Sequence, residues 1–253
     1  LGRETALQKV VWNQEGWLRL ADGRFEPALE TEAPSLPEHP FPPLPQRDDF
    51  DREELGYPYQ TLREPLPESV LTLKERPGWL RLYGRESLHS LYTQSLVARR
   101  QQAFRYTAQT KIEYNPQNYH QTAGLVCLYD TDNFFYLYLT RAETGEKRVS
   151  ILCSDLGRIS YPVGSGVQVE EGALFLRACV KDDQLRFFFS GDGQAWQPIG
   201  PCFDHSILSD DYYMERCGYR FTGAFVGLCC QDCGAPTSYA HFGYLDCREH
   251  ETR

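Results

Sequence analysis

No apolar run in the chain approaches the ~20 residues a membrane-spanning helix needs, so no membrane partner is expected. The opening Leu1-Gly2-Arg3-Glu4-Thr5 lacks a cationic segment followed by an apolar one, and no signal peptide is read there. There is no Asn-x-Ser/Thr acceptor, which weighs against a glycosylated secreted protein. Positive charge is also in short supply. With 26 basic and 35 acidic residues the net charge is −9, so nothing draws the chain toward phosphate backbones and no nucleic-acid partner is expected. Nucleophile elbow, phosphate-binding P-loop and dinucleotide fingerprint are all missing, and no cofactor is implied. The one methionine is Met214, which leads to the expectation that Leu1 is not a translation start and that something lies upstream.

What is present is material for a large core, 41% hydrophobic and 13% aromatic residues in a chain of 253, which excludes global disorder. Nine cysteines (127, 153, 179, 202, 217, 229, 230, 233 and 247) are an odd number, and several sit in apolar runs such as Leu125-Val126-Cys127-Leu128. That usage points to free buried thiols in a reducing compartment, and a cytoplasmic location is expected.

Composition divides the chain. Residues 1–33 hold a strand pair around Val10-Val11-Trp12 and Trp17-Leu18-Arg19-Leu20, turned at Asn13-Gln14-Glu15-Gly16. A lone hairpin does not stand in water, so it must dock on something larger. Residues 34–47 form a proline-rich linker, with prolines at 34, 37, 40, 42, 43 and 45 that keep it stiff and out of any sheet ladder. From 48 to 248 the signal is β, with 249–253 as a tail. Period-two runs at 79–83, 104–108 and 112–114, hairpins at 125–129/134–139 and 174–180/185–189, and closing strands at 224–228 and 240–245 predict an antiparallel sandwich. No amphipathic helix of three turns is found.

Cys229-Cys230-Gln231-Asp232-Cys233 carries one C-x-x-C. A structural zinc needs four ligands, and beyond a distant His241 no partner motif is present, so strand-end cysteines are the expected reading. Asp130-Thr131-Asp132 opens like a calcium loop. Phe135 stands where that loop needs glycine and Arg141 where it needs a bidentate Glu, so a hairpin turn is expected and no metal site is assigned. The aromatics could form a sugar-stacking platform, or they could fill the core, as is normal in sandwiches.

Three blocks carry a resemblance. They are Gly2-Arg3-Glu4-Thr5-Ala6-Leu7-Gln8 with Trp12 and Gly16-Trp17, then Gly84-Arg85-Glu86-Ser87-Leu88 with 94–102, and then Phe221-Thr222-Gly223-Ala224-Phe225-Val226-Gly227. Together they resemble the C-terminal part of two-domain β-xylosidases of glycoside hydrolase family 43. A departure stands at Leu55-Gly56-Tyr57-Pro58-Tyr59, where those enzymes usually carry a Trp-containing stretch.

The resemblance implies an all-β architecture: the terminal hairpin of a five-bladed propeller, then a concanavalin-A-like sandwich. It implies exo-acting, inverting release of xylose from β-1,4-xylo-oligosaccharides, with α-L-arabinofuranosidase side activity. Inversion uses carboxylates ~6.5–9.5 Å apart, and in the family these lie upstream of the position of Leu1, so no catalytic residue is expected in this chain. Two substrate-binding residues are implied. Arg3 would offer its five-donor fork to hydroxyls of the terminal sugar, unless it serves an ion pair closing the propeller. Phe221 would narrow the pocket mouth, with Phe225 in the core. Glu4 and Gln8 receive no role. The implied partners are the N-terminal propeller half, a xylo-oligosaccharide and further copies of the protein. The alternatives are an autonomous carbohydrate-binding or oligomerisation sandwich.

Overall fold

The computed structural model describes residues 5–218, 220–234 and 237–250. The chain divides into two compact units between Leu44 and Pro45. The first contains an antiparallel ribbon of β1 (Val10–Trp12) and β2 (Leu18–Leu20), with Val10 opposite Leu20 and Trp12 opposite Leu18. Asn13 closes its turn by accepting the Glu15 and Trp17 amides on its side chain at 3.1 and 2.8 Å. Two strands cannot make an inside, and Val10, Val11, Trp12, Trp17 and Leu18 are all exposed, Trp12 at 71%.

Among the described residues the second unit contains sixteen strands. The early ones are β3 (Arg47–Asp48), β4 (Tyr59–Gln60), β5 (Leu71–Thr72), β6 (Leu80–Tyr83), β7 (Ser95–Arg100) and β8 (Arg105–Glu113). There follow β9 (Gln121–Leu128), β10 (Phe134–Arg141), β11 (Lys147–Asp155), β12 (Arg158–Ser160), β13 (Val167–Gln168), β14 (Ala173–Lys181) and β15 (Gln184–Ser190). The chain ends with β16 (Gln197–Asp204), a 3₁₀ turn His205–Leu208, α1 (Asp210–Cys217), β17 (Phe225–Asp232) and β18 (Tyr239–Glu249). The pairings between these strands are antiparallel and form two eight-stranded sheets. The first runs β12-β11-β10-β9-β17-β7-β4 with β13 beside β11. The second runs β16-β15-β14-β8-β18-β6-β5 with β3 beside β18.

The main core lies between the sheets. Ala123, Leu125 and Cys127 of β9 and Leu137 and Leu139 of β10 meet Ala108 and Ile112 of β8 and Leu174, Leu176 and Ala178 of β14. The runs expected at 104–108 and 112–114 are one strand, because Thr110 is also buried and keeps the alternation going. A second cluster sits on the outer face of the first sheet. There Val126, Phe134, Tyr136, Tyr138 and Cys229 are covered by Leu88 and Leu62, which come from the connections before β7 and β5. Among the described residues no second apolar cluster lies on the outer face of the second sheet. Its outward residues on β8 are Arg105, Thr107, Gln109, Lys111 and Glu113.

β18 changes parity part-way. Phe242 pairs with Ile112 and Tyr244 with Lys111, leaving Gly243 as an extra residue. A Cβ there would lie 3.2 Å from the Trp79 indole, so the glycine lets that ring rest on the strand. Before the bulge Ala240 and Phe242 point inward; after it Leu245 does, and Tyr244 and Asp246 turn to the outer face.

Candidate functional site

Phe221 stands at one end of the sandwich, between α1 and β17, 62% exposed. Its position follows from how the helix is held. Ser209 caps α1 by accepting the Tyr212 amide at 3.1 Å, Asp210 and Asp211 suit the positive N-terminus, and Gly218 at φ 88° ends the helix. Three tyrosines then anchor this segment to carboxylates. Tyr129 donates to Asp210 at 2.6 Å, Tyr212 to Asp155 at 2.8 Å and Tyr213 to Asp132 at 3.3 Å, with Tyr213 stacked on Tyr129 at 5.7 Å. Arg220, next to Phe221, donates to the Tyr213 hydroxyl at 3.3 Å and lies 4.0 Å from Asp130. On the other side the Thr222 carbonyl accepts from Arg100 at 2.5 Å and the Ala224 carbonyl from the Gln101 amide at 3.0 Å. The exposed ring thus stands on a segment whose neighbours on both sides are hydrogen-bonded to the sandwich.

Asp130 serves the turn as well, its carboxylate accepting the Asp132 and Asn133 amides at 2.9 and 3.0 Å. Burial lifts its pKa above the ordinary value against the lowering effect of those amides and of Arg220. The hairpin-turn reading of this stretch therefore has a geometric basis. Phe225 opens β17, packs partly buried against the outer cluster and carries the Arg100 guanidinium 4.6 Å from its ring. Arg3 lies outside the described residues.

The cysteine pair does not converge. Cys229 belongs to the outer cluster and Cys230 to the inter-sheet core, because neighbours on a strand face opposite ways. Burial raises the Cys229 thiol to about 12 and Cys230 well above the ordinary value, so both stay protonated. His241 is on the outer face of the second sheet, where it accepts from Arg81 at 2.9 Å. Among the described residues no three His, Cys, Asp or Glu come together as a metal site.

One more feature was not legible in the sequence. A cleft of about 660 Å³ opens at the other end of β17, lined by Glu113, Asn115, Glu171, Tyr239 and His241 among others. Its residues come from three segments that sequence spacing does not connect.

Residues 47–248 match a family model described as the β-xylosidase C-terminal concanavalin-A-like domain of glycoside hydrolase family 43. The chain belongs to that family. Family members similar to it include a xylan 1,3-β-xylosidase of a Vibrio species, 39% identical over 99% of this chain and 46% of the relative. A β-xylosidase of Bacillus subtilis is 38% identical over 97% of this chain and 46% of its own length. Among solved structures, a xylan β-1,4-xylosidase from Bacillus halodurans C-125 matches with a TM-score of 0.90 and 43% identity, over 98% of this chain and 47% of that one. The chain thus spans about half the length of the curated relatives it matches, as their C-terminal part.

Proposed function

We propose that this chain is the C-terminal portion of an exo-acting, inverting β-xylosidase that releases xylose from β-1,4-xylo-oligosaccharides. In this reading residues 1–33 complete the last blade of a catalytic propeller, residues 34–47 link the domains, and the sandwich caps the pocket. The observation that carries it is that the likeness runs through the hairpin as well as the sandwich, 98% of this chain against 47% of a xylan β-1,4-xylosidase. The exposed apolar side chains of β1 and β2 support it, since a two-stranded ribbon with Trp12 and Trp17 in water calls for a neighbour. The general acid and base lie upstream, and this chain alone is inactive. Side activity on α-L-arabinofuranosides, assembly into homo-oligomers and a cytoplasmic location complete the proposal. The last of these fits nine free thiols.

Within this scheme Arg3 binds hydroxyls of the terminal sugar and Phe221 shortens the pocket so that only chain ends enter. The test is xylose release from xylobiose by the complete polypeptide. Arg3→Ala lowers kcat/KM by about a hundredfold or more, the loss of a charged donor to a buried hydroxyl group, with the melting temperature unchanged. Phe221→Ala raises KM more than it lowers kcat. Normal turnover in Arg3→Ala removes the substrate role, and a complete polypeptide inert toward xylobiose removes the reading as a whole.

A further inference from the structure

The cleft at the far end of β17 has the makings of a ligand site that the active-site reading does not use. It is separated from Phe221 by the eight residues of β17, about 26 Å at the rise of a strand. Its volume, about 660 Å³, falls among small-ligand pockets. The polar groups in it are held in place by arginines. Glu113 takes the Arg76 guanidinium at 2.7 Å, and this pairing keeps its carboxylate below the usual pKa. Arg141 donates to both Asn115 and Glu171 at 3.0 Å, fixing those two side by side. Carboxylates and an amide facing one cavity offer acceptors to adjacent hydroxyls and repel an anion.

Tyr239 and His241 line the cleft and belong to a row of rings that leads away from it. Tyr83, Tyr239, His241 and Trp79 follow one another at centroid spacings of 5.6, 5.2 and 6.3 Å. Arginines brace the row: Arg81 lies 4.4 Å from the Tyr239 ring and Arg76 lies 3.9 Å from the Trp79 ring. Tyr239 belongs to both row and cleft lining and is 43% exposed. An apolar ring face beside fixed hydroxyl acceptors is the pairing that a pyranose asks for: carbon-bound hydrogens on one side, hydroxyls at the edge. A xylose unit has no hydroxymethyl arm to hold it off such a ring.

We propose that this cleft and the row of rings leading from it form a carbohydrate-binding site that takes the chain of a neutral xylo-oligosaccharide, with Tyr239 stacking a sugar ring and Glu113, Asn115 and Glu171 accepting from its hydroxyls. The sugar class rests on the β-xylosidase reading, while the site rests on the geometry. Such a site holds the oligosaccharide on the protein between turnovers.

The test is titration calorimetry of the whole 253-residue chain with xylohexaose. The parent binds. Tyr239→Ala raises Kd about five- to tenfold, the worth of one stacked ring, and Glu113→Gln raises it as well, both with the parent's melting temperature. Absence of binding at millimolar xylohexaose, or variants that bind like the parent, overturns the site. Xylobiose turnover by the complete polypeptide separates the two claims: turnover without xylohexaose binding by the chain defeats the site alone, and no turnover defeats the enzyme reading.

Discussion

The two sheets of the sandwich are built from similar strands and live in different surroundings. The central strands of the first are buried on both faces, so β10 reads Phe134-Phe135-Tyr136-Leu137-Tyr138-Leu139 without a polar break. In the second sheet β8 and β14 are buried on one face only, and their residues alternate between buried and at least partly exposed. On its open face the aromatics lie under cations: Arg177 is 3.5 Å from the Trp196 ring and Arg47 is 3.9 Å from Tyr244. An outer-face ring is thus part of an apolar cluster in the first sheet and lies under a guanidinium in the second.

Substituting equivalent outer-face positions tests that contrast. Tyr136, 1% exposed, donates to the Cys229 carbonyl at 3.2 Å and stacks on Tyr138. Tyr136→Ala should cost about 3–5 kcal/mol in denaturant unfolding, because it opens a cavity and orphans a buried carbonyl. A cost below about 1 kcal/mol would mean that this outer cluster is loosely packed. The next largest effect concerns pH at the end of the second sheet. His205 is buried beside Tyr106, and burial depresses its pKa from 6.5 to about 4. Between those values the unfolded chain takes up a proton that the native state refuses, so stability falls as pH drops from 6.5 to 4. The loss is about 3 kcal/mol over the whole window. Urea unfolding at pH 7 and pH 4.5 should show a smaller loss for His205→Gln than for the parent; equal losses would refute a neutral buried imidazole. Smallest is Arg177→Ala on the open face, expected within about 1 kcal/mol because that side chain, among the described residues, donates to Gln109 alone and caps one ring in partial contact with water. A larger loss would show that the open face bears on stability after all.

The same contrast explains what the sequence made legible. The continuous runs of β9, β10 and β17 and the alternation of β8 and β14 are direct imprints of two-sided and one-sided burial. Residues 197–204 hide a strand behind Pro198, Gly200 and Pro201, tolerable because β16 is an edge. α1 escapes because eight residues with only Tyr213 buried carry no helical stripe. Phe221 was reached through a family block, which periodicity alone would not have singled out. The cleft residues gave no signal, since Glu113, Glu171 and Tyr239 approach only through the pairing of β8 with β14 and β18.

The extra residue in β18 makes that strand intolerant of a change in length. Loops absorb insertions and deletions, but removing Gly243 would put the segment after it out of step with the segment before it. Asp246 would swing between the sheets and Leu245 would turn to water, while Tyr239 and His241 kept their places. Length variation among relatives is therefore expected in the connections on either side of β18, not within it.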